Sequence, residues 1–350
     1  MPNSELKTVC NKKALGKMLF IAPLPPPING QSHASQVFLD GMQKNRDIAI
    51  VDMVKVRASN NLSGLLYRCW EIGRLLLGAV YKSLNAEVIY ITISESIFGN
   101  IKDILLYIIC AGKWSRTVVH LHGGAGMAEI MKRRGLLAWA NKMFLRRFKA
   151  VVVLGETHTK MYRNIVPPER LKIVKNFAND DCFITEKNLA TKHSENQPLH
   201  IIYLSNLIPE KGYEDLLQAY VELNETAKDQ VFLDFAGAIP DSSKRSEFLT
   251  KISELSGVCY HGVVSGEKKR RLLERAQVFC LPTYYPYEGQ PISILEAYAS
   301  GCAVITTNHS GIRDIFINDI NGYYVRPRNS KEIGSCILAC SRKRKQIREI

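Results

Sequence analysis

Two glutamates, Glu288 and Glu296, are separated by seven residues in a segment that could bring both to one ligand. The segment, residues 278–307 (VFCLPTYYPYEGQPISILEAYASGCAVITT), is typical of a strand, a loop, a helix and a second strand. Pro291 suits the first helical position, because it has no N–H group to leave unpaired and its φ angle is preset. Gly301 suits the helix end, where a left-handed residue is common. The pattern therefore predicts a helix that begins just after the first glutamate.

The start of this predicted helix has the properties of a phosphate-binding site. The backbone N–H groups of Ile292, Ser293 and Ile294 are expected to point out of its N-terminus, where the helix dipole favours an anion. Gly289 lies just before the helix and permits close approach of a ligand to the backbone. The site also follows the carboxyl end of a strand, which is where open α/β sheets bind ligands.

The two glutamates supply hydrogen-bond acceptors beside this phosphate site. Glu288 lies in the loop and Glu296 in the second turn of the helix. Ionised carboxylates accept hydrogen bonds from neighbouring hydroxyl groups, so the pair indicates a ligand with sugars on both sides of a phosphate. Alone, Glu296 would suit an exposed helix residue, but the adjoining Gly–Pro turn favours the binding role.

The arrangement of a glutamate, seven residues and a second glutamate resembles the signature of glycosyltransferase family 4, which has the two-domain GT-B fold. The resemblance implies that Glu288 contacts the sugar of a nucleotide-sugar donor and Glu296 its ribose hydroxyls. Residues 203–220 (YLSNLIPEKGYEDLLQAY) resemble the family's Lys-Gly turn and imply that Lys211 binds the donor diphosphate. The family's usual arginine five positions earlier is Asn206 here, which leaves Lys211 with more of the diphosphate charge to balance.

Other segments of the second half are also similar to this family. Its members pack the nucleotide base against the backbone near a His-Gly pair, which implies base contacts with Gly262 and Val264 in this chain. The segments TNHSGIRDIF and NDINGYYVRP match the usual end of the family's second domain. The resemblance covers most of residues 18–330 and is strongest in 203–325.

The loop at residues 23–35 carries a weaker match. The family has a Gly-Gly pair whose backbone touches the donor phosphate, and this chain has Asn29-Gly30, so only Gly30 is carried over. An ordinary strand-to-helix turn is the alternative. Further along, Asn176-Phe177 stands where the family has Asn-Gly, and we interpret this turn as structural.

A histidine near the transferred sugar is a further feature that the resemblance implies. In HLHGGAGM (120–127), His122 is favoured over His120 because it lies nearer the end of the predicted strand. The glycines that follow lack the G-x-G-x-x-G spacing of a dinucleotide loop. They are expected to form a flexible wall, and they are Gly123, Gly124 and Gly126.

Short apolar runs alternate with amphipathic stretches along the chain, which favours parallel sheets with helices on both faces. The predicted strands are 18–22, 48–52, 88–92, 117–121, 150–154, 172–174, 200–204, 231–236, 258–260, 278–281 and 303–307. Residues 214–223 have helical periodicity. The predicted fold class is therefore α/β, of GT-B type, with two doubly wound Rossmann-like domains facing each other across a cleft.

The polar segment 185–198 is the natural linker between the two domains. The predicted domains are an acceptor-binding domain at 1–190, a donor-binding domain at 198–330, and a basic C-terminal helix or tail at 331–350.

Composition limits the classes of protein that remain. The 350 residues suit two domains, and an apolar fraction of 46% is that of a globular chain. Nine cysteines without a C-x-x-C spacing indicate free thiols in a reducing cytosol. The apolar run 18–22 is too short for a signal peptide, and no window is long and apolar enough to predict a transmembrane helix.

The excess of basic residues, a net charge of +14, indicates an anionic partner. Residues 132–149 hold seven basic residues and no acidic one, with apolar residues at helical spacing. A basic amphipathic helix is typical of binding to an anionic membrane surface. The alternative is that the apolar stripe packs on the first sheet and the basic face is solvated. The C-terminal RKRKQIREI adds to the basic charge.

Together these features predict a hexosyltransferase, and the family resemblance implies that it retains the anomeric configuration. It would move a hexose or N-acetylhexosamine from a nucleotide-diphosphate sugar, with a UDP-sugar favoured, to a saccharide acceptor. The acceptor would be a lipid-diphosphate-linked intermediate of O-antigen or capsular polysaccharide. The expected location is the cytoplasm, peripherally at the inner face of the cytoplasmic membrane.

No metal and no cofactor is predicted, because the chain has no Asp-x-Asp motif for a metal-bound diphosphate. The leaving diphosphate would instead be stabilised by the helix dipole and Lys211. Two alternatives remain. One is a sugar-nucleotide 2-epimerase of the same fold, which lacks the two-glutamate arrangement. The other is a basic nucleic-acid-binding protein. No nucleic-acid-binding module is recognisable, so the favoured prediction does not include nucleic acid among the partners.

Overall fold

The computed structural model describes residues 15–53, 62–194, 197–223 and 230–342. They form two six-stranded sheets with helices between the strands, so the predicted α/β fold class is confirmed. The strands of the first sheet lie in the order β2-β1-β3-β4-β5-β6. They are β1 (Leu15–Ala22), β2 (Arg46–Asp52), β3 (Val88–Ile93), β4 (Thr117–Leu121), β5 (Ala150–Val153) and β6 (Leu171–Ile173).

The second sheet has the order β12-β11-β10-β7-β8-β9 and its pairings are parallel. Its strands are β7 (Leu199–Leu204), β8 (Val231–Ala236), β9 (Val258–Tyr260), β10 (Val278–Leu281), β11 (Ala303–Thr307) and β12 (Gly322–Val325). Eleven of the twelve strands were predicted to within about three residues at each end, and β12 was not predicted. Its sequence, GYYV, is short and its two tyrosines are only half-buried, so it lacks the apolar run that marks the other strands.

The helices described in the structure connect these strands. They are α1 (Gly30–Gln43), α2 (Leu62–Ser83), α3 (Ile97–Ile109), α4 (Ala125–Lys132), α5 (Leu136–Leu145), α6 (Glu156–Tyr162), α7 (Glu186–Lys192), α8 (Tyr213–Val221), α9 (Ser242–Ser253), α10 (Gly266–Arg275), α11 (Ile292–Ala299) and α12 (Ser330–Arg342). None of the helices in the described part of the chain is long and apolar enough to cross a membrane.

The chain divides into two compact units. Unit 1 comprises residues 1–93, 98–120 and 143–151, and unit 2 comprises residues 94–97, 121–142 and 152–350, as far as they are described. Unit 2 thus takes in loops that follow strands of the first sheet. The domain boundaries given above remain predictions.

Each unit has its own packed core. In unit 1 the rings of Phe20, Phe38 and Tyr90 are stacked, with centroids 4.8 to 6.0 Å apart. In unit 2 the ring of Phe248 lies edge-on to Phe235, with centroids 5.2 Å apart. Central strands such as β10 and β11 are buried along their whole length, as parallel sheets covered by helices require. In β3, five of the six residues are buried.

The predicted linker at 185–198 contains helix α7. Thr185 accepts a hydrogen bond from the N–H of Asn188 and caps α7. At the other end of α7, the buried Lys192 donates to the carbonyl oxygen of Leu273 at 2.9 Å and to that of Ser300. Lys192 thereby joins α7 to the last turn of α10 and to the C-terminal end of α11. Residues 185–194 accordingly belong to unit 2.

The basic segment 132–149 is not one helix, which corrects an expectation from the sequence. Helix α4 ends at Lys132 and α5 runs only from Leu136 to Leu145. The predicted apolar stripe is nevertheless largely buried, since Ala140, Phe144 and Phe148 are at most 8% exposed. Within unit 1, Phe144 and Phe148 pack against the ring of Tyr107. The stripe therefore belongs to the core, as the alternative interpretation proposed.

The C-terminal segment begins as helix α12, whose buried residues face the second sheet's core. Most of the predicted basic tail, residues 343–350, lies outside the described residues.

Candidate functional site

Helix α11 carries the centre of the candidate site. It begins at Ile292, one residue later than predicted, and Pro291 precedes it in an extended conformation with φ −61° and ψ 118°. The pyrrolidine ring fixes that φ angle, so proline suits this capping position as well as the first helical one. The helix ends as predicted at Gly301, which has φ +69° and donates its N–H to the carbonyl of Tyr298.

The N-terminus of α11 has two available N–H groups rather than three. The N–H of Ile294 donates to the carbonyl oxygen of Pro291 at 3.1 Å, so the expectation of a free group there is wrong. The first turn is tightened by this short-range bond, as helix ends often are. The N–H groups of Ile292 and Ser293 donate to no residue in the described ranges. Two adjacent donors and the helix dipole remain for an anion.

Glu288 is buried in the loop before α11 and has a cationic partner. The ammonium of Lys211 donates to both of its carboxylate oxygens, at 2.8 and 3.0 Å. Thr283 donates its hydroxyl to the same carboxylate at 2.9 Å. The ring of Tyr285 lies with its centroid 5.1 Å from the Lys211 ammonium, which is within the range of a cation–π contact. Glu288 and Lys211, predicted from separate motifs, are thus brought together.

Glycine at position 212 explains why Lys211 reaches this loop. Gly212 has φ +75°, and a Cβ there would lie 2.5 Å from the carbonyl oxygen of Pro282. Only glycine permits this left-handed turn at such close approach. The two segments are also joined by the N–H of Tyr284, which donates to the carbonyl of Glu210 at 2.8 Å. The Lys-Gly turn therefore fixes Lys211 beside the glutamate loop.

Glu296 is buried as well, rather than exposed on the helix. It is 3% exposed, and the ammonium of Lys269 on α10 lies 2.5 Å from its Oε1 atom. Asn179 donates its side-chain amide to the same oxygen at 3.2 Å. The two glutamates consequently form two separate ion pairs, one in the loop before α11 and one on its second turn. Neither Lys269 nor Asn179 was identified from the sequence.

The His122 loop packs directly on the turn before α11. Both residues belong to unit 2, and a Cβ at Gly289 would overlap the carbonyl oxygen of His122. The ring nitrogens of His122 are buried, and burial lowers the pKa of the imidazole to about 4. The ring is therefore neutral at pH 7 and can exchange hydrogen bonds with a ligand without carrying charge.

Glu95, which the sequence analysis did not select, supports the same loop. Its carboxylate accepts the N–H of Gly126 at 3.0 Å. The pKa of Glu95 is raised to about 8, mainly by burial and to a smaller extent by the charge of Glu288, while hydrogen bonds from the N–H groups of residues 124, 126 and 127 oppose the rise. The sequence did contain a signal, because Glu95 follows the carboxyl end of β3, where ligands of open α/β sheets bind.

The glycines of the His122 loop are required by close packing rather than by flexibility. A Cβ at Gly123 would overlap the Glu95 carboxylate, and one at Gly126 would lie 2.5 Å from the Glu95 carbonyl oxygen. A Cβ at Gly124 would overlap the ring of His158. The prediction of a flexible wall is therefore wrong, since these positions are tightly packed within unit 2.

Asn176 has the structural role that was predicted. Its N–H donates to the side chain of Gln290 at 3.2 Å, and its side-chain amide donates to the carbonyl of Gln290 at 2.7 Å. Gln290 in turn donates to the carbonyl oxygen of Leu154 at 2.9 Å. The residue before Pro291 is thus held by two segments of unit 2, which fixes the direction in which α11 starts.

The predicted base-binding residues form an open turn at the end of β9. Gly262 has φ +67°, and its carbonyl oxygen accepts the N–H of Gly237 at 2.7 Å. A Cβ at Gly262 would meet no atom within 4 Å, so the space beside it is open. Val264 is half-buried and Val263 is exposed. The turn offers apolar surface and backbone groups suited to a planar ring.

Two other predicted residues are more isolated. Asn206 is half-buried, its carbonyl accepts the hydroxyl of Tyr203 at 3.1 Å, and its side-chain amide has no partner among the described residues. Gly30, in unit 1, is the first residue of α1, and a Cβ there would meet no atom within 4 Å. The preceding Asn29 caps the helix by accepting the N–H of Ser32 at 2.9 Å.

His120, the alternative to His122, lies in β4 within unit 1. Its Nδ1 atom is 2.7 Å from the hydroxyl of Tyr90, and the residue is buried. His120 is therefore part of the unit 1 core. Across the described ranges, no group of three or more His, Cys, Asp and Glu side chains is arranged to hold a metal ion.

Comparison with known proteins finds similarity to glycosyltransferases. Residues 185–348 match the family described as "Glycosyl transferases group 1". Two uncharacterized glycosyltransferases of Methanocaldococcus jannaschii and the amylovoran biosynthesis glycosyltransferase of Erwinia amylovora are 22 to 24% identical, over 47 to 50% of this chain. The matches span only 43 to 45% of those three relatives.

A longer match is with a Campylobacter jejuni enzyme, N,N'-diacetylbacillosaminyl-diphospho-undecaprenol alpha-1,3-N-acetylgalactosaminyltransferase. It is 24% identical over 84% of this chain and 77% of that protein. Among solved structures, Anabaena HepE in complex with UDP-glucose superposes with a TM-score of 0.69 at 14% identity, covering 96% of this chain and 92% of that one.

The fold is therefore that of the GT-B glycosyltransferases, as predicted. Residues 185–348, which contain Lys211 and both glutamates, are the part of the chain that matches the group 1 glycosyltransferase family.

Proposed function

We propose that the protein is a retaining glycosyltransferase that moves a sugar from a nucleotide-diphosphate donor to a saccharide acceptor. The observation that carries this proposal is the pairing of Lys211 with the buried Glu288 next to the N-terminus of α11. It combines a cation, a carboxylate and helix N–H groups in one place, which matches the charged diphosphate and hydroxyl-rich sugar of such a donor.

The diphosphate would bind at the start of α11. The N–H groups of Ile292 and Ser293 are available for its oxygens, and the helix dipole favours the charge that develops as the sugar leaves. Lys211 supplies a full positive charge. The neutral Asn206 stands where the family usually has a second positively charged residue. Because this stabilisation needs no ion, we expect activity without added metal.

The two ion-paired glutamates would bind the sugars. Their lysine partners orient the carboxylates, while remaining lone pairs accept hydroxyl groups. Glu288 is assigned to the transferred sugar and Glu296 to the ribose, following the family resemblance. Gly262 and Val264 are assigned to the base, and the Gly289 and Gly30 backbones to the phosphate region.

His122 is assigned to the transferred sugar. As a neutral imidazole it can donate or accept one hydrogen bond without competing with the oxocarbenium-like charge of the transition state. No side chain is proposed as a covalent nucleophile. The leaving phosphate would receive the proton of the acceptor hydroxyl on the face from which it departs, so the anomeric configuration is retained.

The acceptor is proposed to be a lipid-diphosphate-linked saccharide of surface polysaccharide synthesis, at the inner face of the cytoplasmic membrane. The C. jejuni relative's name specifies an undecaprenol-diphosphate-linked sugar acceptor and an N-acetylgalactosaminyl transfer. The Anabaena structure contains UDP-glucose, which supports a UDP-sugar donor. UDP-hexoses, UDP-N-acetylhexosamines and GDP-mannose are the donors to compare first.

The test is a transfer assay with each donor and an undecaprenyl-diphosphate-linked monosaccharide. We expect one donor to be consumed, with a product whose new linkage has the donor's anomeric configuration by NMR. Glu288→Gln should lower the rate at least about a hundredfold, the scale of losing one positioned polar group at a reacting centre. An inverted product, or an isolated covalent sugar–enzyme adduct, would contradict the proposed mechanism.

A further inference from the structure

Two helices of unit 1 have exposed faces that are apolar. On α3 the exposed stripe is Phe98, Ile101, Leu105 and Ile108. These residues recur every three or four positions and so lie on one side of the helix. Phe98 is 86% exposed, which is unusual for a phenylalanine of a soluble protein.

The inner side of α3 buries two polar residues beside Leu106 and Tyr107. Asn100 and Asp103 are fully buried, and Asp103 pairs with Lys102 at 3.2 Å. A helix of a soluble domain normally buries its apolar stripe and exposes its polar one. This helix, by contrast, presents hydrocarbon to its surroundings as well and keeps its carboxylate inside.

Helix α2 has an exposed stripe of the same kind. It consists of Leu66, Trp70, Leu77 and Tyr81, and Leu84 continues it just beyond the helix. Leu75 and Ala79 on the opposite side are buried in unit 1. The stripe contains a tryptophan and a tyrosine, the residues enriched where proteins meet the membrane–water interface.

The two stripes lie on the same side of the sheet. Helix α2 connects β2 to β3, and α3 connects β3 to β4. In the strand order both connections move toward the β6 edge, so right-handed crossovers place both helices on the same face of the sheet. The ends of the helices are also joined, because Lys113, after α3, donates to the carbonyl oxygens of Leu84 and Ala86, after α2, at 2.8 and 3.0 Å. We call the nine stripe residues the α2–α3 face.

Charge distinguishes between possible occupants of this face. Helix α2 contains one acidic residue, Glu71, which is 5% exposed and paired with Arg74 at 3.0 Å, and α3 contains only the buried Asp103. The exposed charges of the two helices include Arg68 and Arg74, and Arg74 also lies 5.8 Å from the Trp70 ring. The face is therefore apolar with basic neighbours.

We propose that the α2–α3 face docks the protein onto an anionic lipid bilayer, with both helices lying in the plane of the interface. The apolar stripes would enter the headgroup and acyl boundary, and the arginines would meet lipid phosphates. A second copy of the chain fits less well. A two-fold interface would bring arginines of both copies together without exposed acidic residues on either helix to pair with them.

This inference rests on the proposed function in one respect, because a lipid-linked acceptor gives the membrane contact its purpose. It also assigns the contact to different residues from those in the basic segment 132–149. There the predicted stripe is buried, and only flanking residues such as Leu136 and Trp139 are exposed.

The test is co-sedimentation of the full chain with vesicles of phosphatidylcholine and phosphatidylglycerol at low salt. Trp70→Ser with Tyr81→Ser, and separately Phe98→Ser with Ile101→Ser, should each lower the partition coefficient at least about tenfold, because buried apolar area drives insertion. Ile317→Ser with Ile320→Ser, which removes two exposed isoleucines of unit 2, is the matched control and should have no effect.

Three outcomes would overturn the inference. One is vesicle binding that persists in both α2–α3 variants, and another is binding lost only in Leu136→Ser with Trp139→Ser. The third is a wild-type dimer in light scattering that the α2–α3 variants convert to a monomer without any change in vesicle binding. Circular dichroism must show that each variant folds.

The proposed function is tested separately in the same preparations by donor-induced thermal stabilisation. An α2–α3 variant that loses vesicles but keeps the donor effect supports both proposals. Wild-type protein that binds vesicles through this face but no nucleotide sugar would contradict the proposed function alone.

Discussion

At the scale of single residues, the candidate site is built from charges that are paired before any ligand arrives. The Lys211–Glu288 and Lys269–Glu296 pairs are both largely buried. Breaking such a pair leaves an uncompensated charge in a poorly solvated place, which is far more costly than the net stability that the intact pair supplies. Each pair can therefore be tested by the unfolding free energy of its variants as well as by their activity.

Replacing Lys211 by Met should therefore destabilise the protein by about 3 kcal/mol, because the buried Glu288 loses its cationic partner. The double variant Lys211→Met with Glu288→Gln should be less destabilised than the single one, since no buried charge remains. Urea unfolding of the wild type, both single variants and the double variant measures this coupling. If the losses of the two single variants simply add in the double variant, the pair is not coupled.

Glu95 gives a pH-dependent prediction. Its pKa is raised from 4.5 to about 8 in the folded protein, mainly by burial. The folded state therefore holds a proton that the unfolded state releases between these values, and stability falls as the pH rises through that window. Glu95→Gln removes the titration, so the variant should resemble the wild type at pH 5 and be at least about 1 kcal/mol more stable at pH 9.

Urea midpoints at both pH values measure the effect. If the difference in stability between Glu95→Gln and wild type is the same at pH 5 and pH 9, the pKa of Glu95 is not raised by folding. Glu129→Gln, at an exposed residue paired only with Lys132, is the matched control.

At the scale of elements, the site depends on backbone segments that approach too closely for a side chain. Gly289→Ala should cost at least about 2 kcal/mol, because the new Cβ overlaps the carbonyl of His122 and approaches Leu154. Gly30→Ala is the control, since a Cβ there meets no atom and the residue opens a helix. It should stay within about 0.5 kcal/mol of wild type.

Chemical denaturation of the two variants provides the comparison. Equal stabilities for Gly289→Ala and Gly30→Ala would mean that the His122 loop moves away from the turn before α11 without cost.

The sequence predicted the elements well where the signal is local. Buried parallel strands are short apolar runs, and helix α11 is framed by Pro291 and Gly301, so both could be found without a structure. Segment 132–149 was misjudged because helical spacing of apolar residues continues across Gly135, where the chain leaves α4 and enters α5. Periodicity alone does not show such a break.

The partners within the site could not be predicted, because they come from distant parts of the chain. Lys269 lies 27 residues before Glu296, and Glu95 meets a loop 31 residues later. The spacing of the two glutamates identified the site, but whether each carboxylate is exposed or ion-paired depends on how other elements pack against α11. The burial of both glutamates is therefore a finding of the structure.

At the scale of the whole molecule, the account predicts catalysis that does not require a metal ion. In the proposed function, the N-terminus of α11 and Lys211 would balance the charge of the diphosphate, which is a role that a divalent ion can have in glycosyl transfer. Initial rates should be unchanged by EDTA. Full loss of turnover in EDTA, with recovery on adding Mn²⁺, would contradict this prediction.

The central claim is that unit 2 binds a nucleotide-diphosphate sugar at the start of α11, and donor-induced thermal stabilisation tests it most directly. A panel of UDP-, GDP-, dTDP- and ADP-sugars is compared with wild type, Glu296→Ala and the surface control Glu247→Gln. Ligand at ~100 Kd stabilises the folded state by about 2.7 kcal/mol, which is an easily measured shift. The account predicts a shift with one nucleotide family, lost in Glu296→Ala and kept in Glu247→Gln. No shift with any nucleotide sugar would contradict it.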